Sequence, residues 1–117
     1  MGVLDAYAQA NGLGVVVDAP FTMKLGPEGP VREPDLLFVA QENLERLKET
    51  HLEGPADLGV EIVSPESAAR DQGTKFYEYE AAGVREYWLL DPDREEAEFY
   101  MLREGRYRLV YPEGRIF

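Results

Sequence analysis

The run Asp57-Leu58-Gly59-Val60-Glu61-Ile62-Val63, followed by Ser64-Pro65 and then by Asp71-Gln72-Gly73-Thr74-Lys75-Phe76-Tyr77-Glu78-Tyr79, decides how this chain folds. Its first part is rich in β-branched and apolar residues and reads as a strand. Strict alternation puts Asp57, Gly59, Glu61 and Val63 on one face and Leu58, Val60 and Ile62 on the other. Ser64-Pro65 breaks the strand, because proline has no N–H to give to a ladder. A helix follows and stops at Gly83, a residue suited to the left-handed position past a helix end. Its start has two candidates: Ser64 with Pro65 at the first helical position, or Asp71. A helix begun at Pro65 would carry Lys75 about 15 Å along its axis, away from the strand end. Asp71 as the N-cap keeps Lys75 in the first turn. Asp71 is therefore the expected cap, with residues 64–70 an irregular loop.

Outward from this unit, Val15-Val16-Val17-Asp18 reads as a strand and Phe21 to Leu25 as a second, short one. Gly26-Pro27-Glu28-Gly29-Pro30 is a turn or loop. Asp35-Leu36-Leu37-Phe38-Val39 is apolar after its first residue and is expected to be a strand buried on both faces. Residues 41–50 form a short polar helix or loop with Leu44 and Leu47 turned inward, and residues 1–11 read as the end of a helix. Downstream, Glu86-Tyr87-Trp88-Leu89-Leu90-Asp91 is a strand closed by Asp91-Pro92-Asp93. Residues 97–102 and 106–111 flank Glu104-Gly105 as a hairpin. The order gives an α/β (α+β) fold, a central mixed β-sheet flanked by helices.

The chain has 117 residues and 13.2 kDa, which favours a single domain over residues 1–117. No apolar run approaches the ~20 residues of a membrane helix and no secretory signal leads it, so no membrane partner is expected and the cytoplasm is the expected compartment. There is no cysteine, which excludes disulfides and Cys-ligated metal, and the single histidine (His51) argues against a His-based triad or His-rich metal site. Chemistry must then run on carboxylates, Lys, Arg, hydroxyls or backbone. The net charge of −11 opposes simple attraction to nucleic acid and suits a carboxylate cluster awaiting a divalent cation. Nine of the twelve basic residues are Arg, which makes Lys75, on the helix after the Glu61 strand, conspicuous.

Three features bear on chemistry. Pro34-Asp35 opens an apolar strand. Glu61 is a carboxylate between Val60 and Ile62, a place where charge is rare unless paired or metal-bound. Lys75 stands within reach of both if the helix starts at Asp71. Two strand-borne carboxylates can hold Mg²⁺ with water completing its shell, and a nearby ammonium can stabilise charge growing on phosphorus.

Plainer roles attach to the same residues. Asp35 could be a turn partner, Glu61 could pair with Arg32 or Arg85, and Lys75 could pair with Asp71 at i,i+4. Asp57 is expected to end its strand in solvent and His51 to be exposed. Ser64 is expected to be a turn or cap residue and not a nucleophile, and Phe76, Tyr79, Tyr87 and Trp88 to pack between helix and sheet. The hairpin arginines, interleaved with glutamates, read as a solvated face as readily as a phosphate contact.

Pro34-Asp35, the run from Pro55 to Ser67, Asp71-Gln72-Gly73-Thr74-Lys75, Tyr79, and Ala82-Gly83-Val84-Arg85-Glu86-Tyr87-Trp88-Leu89-Leu90-Asp91-Pro92 together resemble a bacterial family of restriction-endonuclease-like proteins, the Uma-two type of the PD-(D/E)XK nuclease superfamily. The resemblance spans about residues 30–102. It implies an endonuclease-like core and a Mg²⁺- or Mn²⁺-dependent phosphodiesterase acting on nucleic acid, DNA being the expected substrate. It implies a cation on Asp35, Glu61 and the carbonyl of Ile62, with Asp35, Glu61 and Lys75 as the catalytic set. The superfamily's usual lysine, two residues after the acid, is Val63 here, and Lys75 stands in for it. Members look longer at the N-terminus, and a chain short there would bare a sheet face and favour a homodimer. The rival expectation is a catalytically silent module of the same fold that binds a protein or oligomerises. A nucleotide-binding regulator is disfavoured by the lack of a phosphate-cradling Gly-rich loop.

Overall fold

The computed structural model describes residues 12–111. In chain order its strands are β1 (Gly14–Asp18), β2 (Thr22–Lys24), β3 (Val31–Arg32), β4 (Leu36–Ala40), β5 (His51–Glu53), β6 (Leu58–Ile62), β7 (Glu86–Asp91), β8 (Glu96–Arg103) and β9 (Arg106–Val110). A 3₁₀ segment, Gln41–Arg46, follows β4, and helix α1 (Lys75–Ala82) precedes β7. Six strands form one mixed sheet in the order β1-β4-β6-β7-β8-β9. Only β6 and β7 are parallel within it, with Gly59 beside Tyr87 and Glu61 beside Leu89. Parallel neighbours need a crossover, and α1 supplies it. The expected helix end on residues 1–11 lies outside the described residues. Among the described residues no helix is long and apolar enough to cross a membrane.

The core lies between α1 and one face of this sheet. Leu37, Val39, Tyr79, Val84, Tyr87 and Leu89 are its fully buried centre. Alternation along β4 and β7 selects these residues, since every second side chain faces the helix. Several of the aromatic rings meet edge-on, as their quadrupoles favour: Phe76 lies 4.9 Å from Tyr100 and Tyr79 lies 4.8 Å from Tyr87. Their hydroxyls are satisfied internally. Tyr107 donates to the Val84 carbonyl at 2.6 Å and Tyr87 to the Asp71 carbonyl at 2.7 Å. Gly83 ends α1 with φ 90° and donates back to the carbonyls of Tyr79 and Glu80. At the β8–β9 turn, Glu104 and Gly105 both have positive φ, which matches the twist of a tight hairpin.

Five expectations need correction. The structure has a second, three-stranded sheet, β3-β2-β5, where a single sheet is expected. Its strands are two or three residues long, too short to show a period, yet Met23 and Leu52 on it are fully buried. The β4 strand is not buried on both faces: Leu37 and Val39 are buried while Leu36 and Phe38 are only half-buried. Trp88 faces away from α1 and packs edge-on against Phe99, 5.2 Å between centroids. Asp57 is buried, not solvated, because its carboxylate accepts the Ala40 N–H at 2.7 Å and the Asn43 amide at 2.9 Å. His51 is half-buried and its Nε2 lies 2.9 Å from Glu53 Oε1.

Gly59 is the residue on which helix and sheet close. A Cβ there would lie 3.3 Å from Tyr79 Cε2 and 3.9 Å from Val84 Cγ1. Tyr79 is fully buried and hydrogen-bonded, so it has little room to yield. Gly59→Val is therefore expected to cost about 1–3 kcal/mol by overpacking. Urea unfolding followed by circular dichroism measures this, and an unchanged midpoint would show that α1 does not rest on β6 in this way.

Candidate active site

Glu61 is the site's least comfortable residue. It lies on the inner face of β6, only 3% exposed, between a sheet and a helix. Two side chains of α1 meet it. Tyr79 donates its hydroxyl to Glu61 Oε2 at 2.8 Å, and Lys75 Nζ stands 3.4 Å from Oε1. Lys75 and Tyr79 are four residues apart, so one helix face presents both. Burial nevertheless dominates. It pushes the Glu61 carboxyl up to about 7, against the attraction of Lys75 and the Tyr79 hydrogen bond, with the charges of Asp71 and Asp35 adding to the rise. The Tyr79 hydroxyl is itself driven up, by burial first and then by the Glu61 charge.

Asp35 immediately precedes β4. Continuing the β4–β6 register, in which Leu36 faces Val60, places it across from Glu61. Its side chain is exposed and its Oδ2 accepts the Ile62 N–H at 2.6 Å. Its carbonyl accepts the Ala19 N–H at 3.0 Å. The residue is thus tied to the backbone next to Glu61 while its carboxylate stays open to solvent. The sequence-predicted residues Asp35, Glu61, Ile62 and Lys75 therefore come together. Neither arginine considered as a partner for Glu61 takes that role. Arg32 makes a bidentate pair with Glu78, at 2.7 and 3.0 Å, and Arg85 lies 3.9 Å from Asp57.

The helix start differs from the expected one. Helical bonds begin at Ser64, whose carbonyl accepts the Ala68 N–H, and continue from Ser67 to the Asp71 N–H. Residues Arg70–Thr74 then form a π-helical turn that runs into α1. Asp71 is not a cap. It is 1% exposed, accepts the Ser67 hydroxyl on Oδ2 at 2.7 Å and holds Lys75 Nζ at 3.0 Å from Oδ1. Ser64, expected to be a turn or cap residue, lies at the first helical turn, where its hydroxyl accepts the Ser67 N–H. Lys75 reaches Glu61 although helical structure starts early, because the crossover brings the chain back over β6. Residues further along it then lie over residues earlier in the strand, as the Tyr79–Gly59 contact shows.

Tyr79 and Asp71 are the members that sequence reasoning missed. The i,i+4 spacing of Lys75 and Tyr79 is the signal for Tyr79. The burial of Asp71 follows from the π turn, which leaves no pattern in the sequence.

Among the described residues no cluster of three or more His, Asp or Glu side chains forms a ready-made metal centre. Asp35 and Glu61 nonetheless suit a hard divalent cation. Their oxygen donors flank one backbone link, and Mg²⁺ commonly takes one or two carboxylates and keeps its remaining waters.

Comparison with known proteins bears on the family and the fold. A family model described as Uma2, putative restriction endonuclease, matches residues 1–115. Among solved structures, a putative nuclease belonging to DUF820 from Anabaena variabilis ATCC 29413 is similar, with a TM-score of 0.69 at 14% identity. The match covers 91% of this chain and 59% of the other, so this chain spans about three fifths of that protein's length. No curated protein matches.

The lifted Glu61 carboxyl carries a pH signature. Between 4.5 and about 7 the folded chain keeps a proton that the unfolded chain releases. The stability this group contributes is thus full below 4.5 and lost as pH rises through about 7. In metal-free buffer, unfolding free energy is expected to fall across that window, and Glu61→Gln is expected to flatten the fall and be the more stable form above it. Denaturant titrations at several pH values measure both, and a wild-type profile parallel to that of the variant would contradict the assignment.

Proposed function

Because the chain belongs to the Uma2 family of putative restriction endonucleases, we propose that it is a metal-dependent nuclease that hydrolyses phosphodiester bonds of nucleic acid, DNA first among them, at Asp35, Glu61 and Lys75. One observation carries this proposal: two acids from neighbouring strands and one ammonium from the following helix converge, with Asp35 bonded to the Ile62 N–H at 2.6 Å and Lys75 at 3.4 Å from Glu61. Asp35, Glu61 and the Ile62 carbonyl would hold Mg²⁺ or Mn²⁺. When bound, such an ion supplies Lewis acidity toward a phosphoryl oxygen and lowers the pKa of water.

The chain's own groups do the rest. Water attacks phosphorus and gives up a proton to solvent, while the bond to the leaving oxygen breaks and that oxygen takes up a proton from solvent. Lys75, only 16% exposed at its side chain, places positive charge beside the phosphoryl oxygens as negative charge builds. Tyr79 fixes one Glu61 oxygen and so leaves the other directed at the site. Asp35, anchored by the Ile62 amide, holds its position without a rotamer search.

A second reading, a catalytically silent module that pairs with another copy or another protein, is favoured by the sheet face away from α1. There Leu36, Trp88, Phe99 and Val110 stand in one cross-strand row that runs through the buried Val60, and these four are only half-buried. Its readout is oligomeric state by light scattering.

Plasmid nicking with Mg²⁺ or Mn²⁺ tests the nuclease proposal. Glu61→Ala is expected to abolish it, and Lys75→Met to lower turnover about 10²–10³-fold, the usual loss for one charge-stabilising donor. Asp35→Asn is expected to remove metal binding in calorimetry. Equal metal-dependent nicking by Glu61→Ala would overturn the assigned site.

A further inference from the structure

Lys75 lies between two buried carboxylates and is nearer the one that is not a proposed metal ligand. Its Nζ is 3.0 Å from Asp71 Oδ1 and 3.4 Å from Glu61 Oε1. Asp71 cannot easily follow the lysine elsewhere. Its Oδ2 accepts the Ser67 hydroxyl at 2.7 Å, its N–H reaches the Ser67 carbonyl at 2.9 Å and its own carbonyl accepts the Tyr87 hydroxyl at 2.7 Å. Its side chain is 1% exposed, so its charge needs a partner within the protein.

We infer that Asp71 is a positioning residue of the metal site: its fixed carboxylate holds the Lys75 ammonium off Glu61, leaving the Glu61 oxygen free for a divalent cation. This rests on the proposed role of Asp35 and Glu61 as metal ligands. The physical reason is charge competition. An ammonium and a divalent cation want the same Glu61 oxygen. With Asp71 in place the ammonium already has a full counter-charge at ion-pair distance, and a cation arriving at Glu61 displaces it from nothing essential. Without that counter-charge, Lys75 has Glu61 as its remaining buried acid, and every metal ion must first break that pair. The π turn gives the arrangement its geometry, because it puts Asp71 and Lys75 on the same side of the chain as Glu61. Asp71→Asn preserves the shape and can still accept the Ser67 hydroxyl, but turns a neutral amide toward the ammonium.

The test is calorimetric titration of Mn²⁺ into the 117-residue chain at constant pH, with folding checked by thermal melting without metal. D71N is expected to bind Mn²⁺ at least about tenfold more weakly than wild type, as is usual when a group that orients a metal ligand is lost. In a K75M background the same change is expected to have no effect, since the competing ammonium is gone. Wild-type affinity in D71N overturns the inference. So does an equal loss in both backgrounds, which would make Asp71 a ligand or a merely structural residue. Binding by K75M where wild type shows none overturns it and leaves the metal site standing. Silence in all four proteins removes the metal site itself, and this inference with it. Should D71N fail to fold, D71S takes its place, since it also removes the charge while keeping a hydroxyl beside Ser67. A loss of affinity in D71S that is absent from D71S/K75M supports the inference, and unchanged affinity overturns it.

Discussion

A carboxylate on the inner face of a central strand is the constraint from which the rest of this structure follows. Glu61 cannot be left bare between a sheet and a helix, because an unpaired buried charge is far more costly than the packing it displaces. Compensation must come from the element laid over it, and α1 provides a hydroxyl and an ammonium at i,i+4. That requirement fixes the rotation of α1 about its axis. The helix can present Lys75 and Tyr79 downward only if Phe76 is turned toward the hairpin, where it meets Tyr100 and Tyr107. It can approach closely enough for the Tyr79 hydroxyl to reach Glu61 only because Gly59, two residues before it on the same face, has no side chain. The polar site and the apolar core are in this sense one packing solution.

The π turn belongs to the same solution. The chain leaves β6, enters helical geometry at once from Ser64 and must arrive at Lys75 with a prescribed phase. A wider turn over Arg70–Thr74 shifts that phase, and its position is held by Asp71, whose carboxylate and carbonyl are both engaged. Such insertions are found mainly at functional sites, because they cost backbone geometry and persist where a side chain must be aimed.

These considerations explain what could be read from residues alone. The strands of the large sheet were legible because each carries at least five residues of apolar or alternating pattern, and Gly83 and Glu104-Gly105 mark their turns by backbone preference. The acids of the site were legible by discord: Glu61 sits where charge should not be, and Asp35 opens an apolar run. The small sheet was not legible, since three residues such as Thr22–Lys24 show no period. The helix start was not legible for a definite reason. Distance along a helix axis does not equal distance from the site here, because the crossover folds the helix back across the strand that carries Glu61. The burial of Asp57 was not legible because its partners, the Ala40 amide and Asn43, come from the end of β4 and the 3₁₀ segment after it, a long-range meeting with no local signature.

The charge count at the site bears on how an acidic chain could act on a polyanion. Asp35, Glu61 and Asp71 bring three carboxylates and Lys75 one ammonium, a surplus of two negative charges when all are ionised. Burial has already made the chain resist that surplus, by lifting the Glu61 carboxyl to about 7. One divalent cation would cancel it and allow Glu61 to ionise fully, so metal uptake would release protons near neutral pH. A phosphodiester could then approach a neutral site on a chain whose net charge is −11. On the nuclease reading, the cation is thus as much the means of admitting substrate as of activating it. Long-range attraction to a polyanion is not supplied by this chain's charge.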